Sequence, residues 1–203
     1  MNHRGLFFLG IALLVTALVL AIITGLITPE MVTRRSHRSA PVPPPTVGGG
    51  QNARAAFEQV MAWAETQNLA LEPLSISTTS RRGEPASRWT LQLYQTEKKK
   101  LWIVSPTAES VQVLREQTAL YAQHPFDPAV WTVDSDAVVE SWWVQSGQAA
   151  WSEPAAHSLS LHLGPNGDGA LVWTVTVIDQ ESKVLDLFRM NAETGEQIPL
   201  SRG

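Results

Sequence analysis

The 203-residue chain is 44% hydrophobic, contains no cysteine and carries a net charge of −4, so it can bury a core but excludes disulfides, zinc–thiolate sites and thiol nucleophiles. The charge is uneven, with eleven acids against three basic residues over 121–203. This balance lacks the clustered basic surface that phosphate contacts need, which excludes nucleic acid as an expected partner.

In chain order, Leu6 to Ile27 holds no charged residue over 22 positions, and at ~1.5 Å per residue a helix of that length crosses a hydrocarbon core of about 30 Å. The stretch predicts one N-terminal transmembrane helix within an anchor of residues 1–30. A cleavable signal peptide is the alternative; its apolar region would be shorter, about 7–15 residues, and no small-x-small site follows Ile27 directly. Ala17, Ala21 and Gly25 recur every four residues and offer a small-residue face for helix–helix contact. Residues 31–50 read as a tether, because "SAPVPPPTVGGG" joins a stiff polyproline stretch to flexible glycines.

The remainder reads as a duplication. "WTLQLYQTEKKKLWIVSPTAE" from Trp89 and "WTVTVIDQESKVLDLFRMNAE" from Trp173 align without a gap at an offset of 84 residues. Residues 51–120 form the first expected repeat. Its helix starts at the N-cap Asn52 and buries Phe57, Val60, Met61 and Ala64, with strands at Leu74–Thr78, Trp89–Gln95, Leu101–Val104 and Val111–Leu114. Residues 121–203 form the second. A helix from Asp134 or Ser135 to Gly147 presents Val138, Val139, Trp142 and Trp143, and strands follow at Ser158–Leu163, Leu171–Asp179, Val184–Met190 and Glu196–Ile198. The expected fold class is α+β: one N-terminal transmembrane helix plus two tandem helix-on-antiparallel-sheet repeats.

The closing segment "MNAETGEQI" at Met190–Ile198 resembles the D-x-x-T-G-[EK] turn of PepSY and PepSY-like domains, with Asn191 where that family usually has Asp. The first copy, with "SPTAESVQV", lacks the glycine. An anchor followed by two such repeats is similar in layout to the TseB-like regulators of cell-wall elongation. The resemblance implies a cystatin-like fold on the outer side of a membrane, regulatory or peptidase-inhibiting roles, and no catalytic residues. It is set against Arg34, Arg35 and Arg38, which by the positive-inside rule hold the domain in the cytoplasm. The expected location is the cell membrane, single-pass, with the domain outside the cytoplasm.

No motif points to chemistry. His157 and His162 are five apart, an odd spacing that sets them on opposite faces of one strand. No P-loop, G-x-S-x-G or G-x-G-x-x-G occurs. No catalytic, cofactor-binding or metal-ligating residue is assigned, and no cofactor is expected. Eight tryptophans are the unusual feature. Trp89, Trp173, Trp142 and Trp143 are expected in the core, whereas Trp102, Trp131 and Trp151 are expected to be exposed.

The expected function is a membrane-anchored, non-catalytic, extracytoplasmic module that binds and regulates another protein. The rival is an accessory subunit or assembly factor of a membrane protein complex. Expected partners are the lipid bilayer and an unidentified protein. Asp179, Glu181, Asp186 and Trp102 are the candidate protein-binding residues, the three acids because predicted turns and strand ends keep carboxylates solvated and set an acidic end toward a basic partner.

Overall fold

The N-termini of two helices meet, and that junction organises the domain. The computed structural model describes residues 43–121 and 123–200. Helix α1 (Ala53–Thr66) starts at Asn52, whose extended backbone lets Oδ1 accept from the Ala55 N–H at 2.8 Å. Its next free donors are satisfied from 80 residues away: Ala53 N–H donates to Ser135 Oγ at 3.0 Å and Arg54 N–H to Asp134 Oδ1 at 3.2 Å. Asp134 is itself the N-cap of α2 (Ser135–Trp142) and also accepts from Ser135 N–H at 2.7 Å. One carboxylate thus sits at the positive ends of two helix dipoles.

Between the helices run β1 (Glu72–Arg81), β2 (Thr90–Gln95), β3 (Lys100–Pro106) and β4 (Val111–Thr118). After α2 come a π-helical turn (Trp143–Gly147), α3 (Gln148–Ser152), then β5 (Ser158–Pro165), β6 (Leu171–Ile178) and β7 (Val184–Asn191). The order in the sheet is β4-β3-β2-β1-β5-β6-β7, with every neighbour antiparallel.

The expected pair of tandem helix-on-sheet repeats is therefore corrected to one continuous seven-stranded sheet. The aligned tryptophan segments form the β2–β3 and β6–β7 hairpins in matching register, Leu91 opposite Val104 and Val175 opposite Phe188. Yet β1 and β5 pair along Ile76–Arg81 and Ser158–Leu163, which joins the two hairpins through the middle of the sheet. The physical reason is edge satisfaction: β1 standing alone would present a row of unpaired backbone groups, and β5 supplies their partners. An apolar row then crosses all seven strands, Val113–Val104–Leu91–Ile76–Leu163–Trp173–Met190, and most of it is fully buried. Helices cover this face, α1 against β3 and β4 and α2 against β6.

Indoles fill the space between helices and sheet. Trp89, Trp131, Trp142 and Trp173 are buried, with Trp131 edge-on to both Phe57 and Trp173 at 5.9 and 6.1 Å between ring centroids. The exposure expected of Trp131 and Trp151 is corrected, since both are buried. Irregular backbone says nothing of burial: Trp131 Nε1 donates to Val133 O at 2.7 Å, and the helix expected to stop at Gly147 runs through the π turn to carry Trp151 inward. That turn requires Gly147, whose hydrogen faces the Trp142 indole where a Cβ would lie 2.6 Å from the ring. Trp143, expected in the core, is half-buried. The last expected strand reduces to one bridge between Met190 and Gln197. The closing turn itself is tight: Asn191 Oδ1 accepts from Glu193 and Thr194 N–H, and Gly195 takes a φ of 77°.

Residues from Pro43 onward belong to the compact unit. Val47 packs on the core, and Gly48 sits at φ 62° against Trp89, where a Cβ would overlap the indole.

Among the described residues no helix is long and apolar enough to cross a membrane. The longest, α1 with 14 residues, spans about 21 Å against a hydrocarbon core of about 30 Å. The expected span Leu6–Ile27, with Ala17, Ala21 and Gly25, lies outside the described residues. No described element supports the expected single-pass membrane and extracytoplasmic assignments, which are corrected accordingly.

Candidate functional site: the open face of the sheet

Residues directly opposite in an antiparallel ladder share a face, and neighbours along a strand alternate. The apolar row fixes the core side, so the alternate positions define the side that neither helix covers. There, Thr90, Ser77, His162, Thr174 and Arg189 form one row across β2, β1, β5, β6 and β7. Beside it lie Thr79, Ser160, Thr176 and Leu187 on one flank, and Ser75, Gln92, Ile103 and Arg115 on the other. Gln92, Thr79, Arg115 and His162 are exposed, and the remaining hydroxyls, save the buried Ser75, are half-buried by their neighbours. This surface presents short side chains that both donate and accept, on a backbone already held by the ladder.

His162 stands near the centre of the face. Its ring leans along β5 over Gly164, where a Cβ would come within 2.9 Å of Nε2. Packing among neighbouring strands partly desolvates the ring and holds its pKa below the ordinary value of 6.5. The imidazole is thus neutral at pH 7, available as one donor and one acceptor.

The residues singled out in the sequence fall elsewhere and do not come together as an open acidic end. Asp179 is buried, and its Oδ1 accepts from Lys183 N–H at 2.8 Å, closing the β6–β7 turn. Asp186 lies on the core face opposite Val177, where Oδ2 accepts from Trp142 Nε1 at 2.8 Å and from Ser146 Oγ at 2.7 Å. It ties the helical layer to the sheet. Glu181 is exposed. Trp102 is half-buried and packs edge-on to Trp63 of α1 at 6.4 Å, and its Nε1 is buried without a partner among the described residues.

A polar cavity of about 350 Å³ is lined by Arg82, His157, Asp179 and Glu181. Its charged groups are largely engaged in structure: Arg82 donates to the Trp151 and Glu153 carbonyls and stacks on the Trp151 ring, while Asp179 holds its own turn. Among the described residues no three His, Cys, Asp or Glu side chains are grouped to hold a metal ion.

Known proteins offer no match. No family model, no curated protein and no solved structure aligns significantly with the chain.

The signal for the open face was present in "LSISTT", "WTVTV" and "SLSLHL", where hydroxyls or a histidine alternate with apolar residues. The apolar half of each pattern marks the core by itself; the polar half marks a shared surface only once β1 lies beside β5, which nothing local in the sequence states.

Proposed function

We propose that this chain is a non-catalytic module that binds another protein on the open face of its sheet, and that regulation of that partner is its role. The observation that carries the reading is the one-sided construction of the sheet: helices and five buried indoles cover one face, while a continuous polar row crosses five strands of the other. The face is rigid and rich in hydroxyls, suited to specific hydrogen bonding at small entropic cost. The regulatory part draws support only from the resemblance of the Asn191–Gly195 turn to PepSY-like domains.

The outer edge of β4 is the other exposed feature, with seven of its eight residues exposed. It is a poorer docking strand. The register shifts opposite Ile103 and Val104, and Arg115 and Glu116 sit mid-strand, both devices that discourage strand addition.

Placing a large side chain beside the central row of the face tests the reading. Partner isolated with the native chain should be lost by Ser160→Trp while the melting temperature is kept, and retained by Glu181→Lys. Retention by a folded Ser160→Trp protein would remove the face from the binding surface.

A further inference from the structure

The charges of this acidic protein are sorted by face. On the helical side Glu58, Glu65, Asp136 and Glu140 are exposed. The one cation in these helices, Arg54, is tied down by the Trp131 carbonyl and lies over the Trp131 ring at 4.4 Å. On the open face the order is reversed. Arg81, Arg115 and Arg189 occupy its ladder positions on β1, β4 and β7, against the single acid Glu72 at the rim, which is bonded to the Thr96 hydroxyl. Arg81 has a loose exposed pairing with Glu84 at 3.7 Å, while Arg115 and Arg189 make no ion pair among the described residues.

From these positions we infer that the open face takes an acidic, extended segment of a partner protein, lying across the strands between Arg115 and Arg189. The inference rests on the face being the binding surface and adds the chemistry of what binds there. Six strand spacings separate β4 from β7, about 29 Å at ~4.8 Å each, a span covered by about nine residues of extended chain. Carboxylates at the two ends meet guanidinium groups, which receive them with paired N–H donors. Between them Thr90, Ser77, His162 and Thr174 offer donors to the backbone carbonyls and side chains of the segment. The acidic helical side repels the same segment, so the charge pattern also sets which side it approaches.

The probe is a fluorescent ten-residue peptide of alternating Glu and Ser, compared with its Lys/Ser counterpart and with a single-stranded oligonucleotide of similar length, each titrated against the full chain. The acidic peptide is expected to bind, to weaken as salt shortens the Debye length from about 30 Å to about 8–10 Å, and to weaken about tenfold or more in Arg115→Gln/Arg189→Gln. Preference for the lysine peptide, or unchanged acidic-peptide affinity in that double variant, overturns the inference. Equal or tighter binding of the oligonucleotide overturns it in favour of nucleic acid. If salt-sensitive self-association is abolished by the same double variant, the acidic surface is the helical side of a second copy, and a separate partner segment is ruled out. Loss of partner capture in Ser160→Trp with no binding of the acidic peptide keeps the face and rejects its acidic ligand; failure of both results rejects both.

Discussion

Trp89 and Trp173 meet edge to face in the core, their ring centroids 6.3 Å apart and their planes inclined at 62°. Each indole also bonds backbone ahead of a helix, Trp89 Nε1 to Gln51 O at 2.7 Å and Trp173 Nε1 to Val133 O at 2.8 Å. The pair therefore links both helix entrances to the two halves of the sheet.

The acceptors differ in one respect that predicts unequal losses. Val133 O also accepts from Trp131 Nε1, so Trp173→Phe leaves it bonded, whereas Trp89→Phe removes the indole donor from Gln51 O. Trp89→Phe is expected to cost about 2–3 kcal/mol and Trp173→Phe about 1 kcal/mol less. Trp102→Phe should cost least of the three, since it removes a buried N–H that has no partner among the described residues. Urea unfolding of the three variants gives the order.

Asp134 serves two helices at once. Asp134→Ala should cost about 2 kcal/mol, at the upper end for one cap, because donors of both α1 and α2 lose their acceptor. Asp134→Asn keeps an acceptor oxygen and should lose about half as much. Thermal unfolding compares them; equal, small effects would show that the shared carboxylate is not a joint cap.

Substitution at two of the candidate acids, Glu181 and Asp186, should separate surface from structure. Glu181→Lys is expected to change stability by less than about 0.5 kcal/mol. Asp186→Ala should cost about 2 kcal/mol, because it leaves the Trp142 indole N–H and the Ser146 hydroxyl unpaired behind the sheet. Near-ultraviolet circular dichroism should register the loosened Trp142 in Asp186→Ala and no change in Glu181→Lys.

His162 gives the fold a pH dependence of definite sign. Its folded pKa lies below the ordinary 6.5, so below that pH the unfolded chain binds a proton that the folded chain resists, and stability falls. The contribution is flat above pH 6.5, declines as pH drops toward the folded pKa, and levels below it. His162→Gln should flatten this part of the curve in denaturation midpoints taken from about pH 8 to about pH 5. An identical slope in the variant would show that another group is responsible.

Much of the local structure was legible from the chain alone. Asn52 as a cap, the buried stripe of Phe57, Val60 and Ala64, and the positions of both tryptophan hairpins follow from short-range rules, since side-chain periodicity reports which face of an element is apolar. Only the tertiary structure decided that β1 lies against β5. That pairing is made by backbone N–H and C=O groups common to every strand, and it leaves no mark in side-chain order. The pairing turned two expected sheets into one, set the hydroxyls of β1 beside those of β5 and β6, and gathered Arg81, Arg115 and Arg189 on one surface. It was equally non-local contact that buried Trp131, Trp151 and Asp179 and engaged the half-buried Asp186, because burial depends on what the rest of the chain brings to a residue.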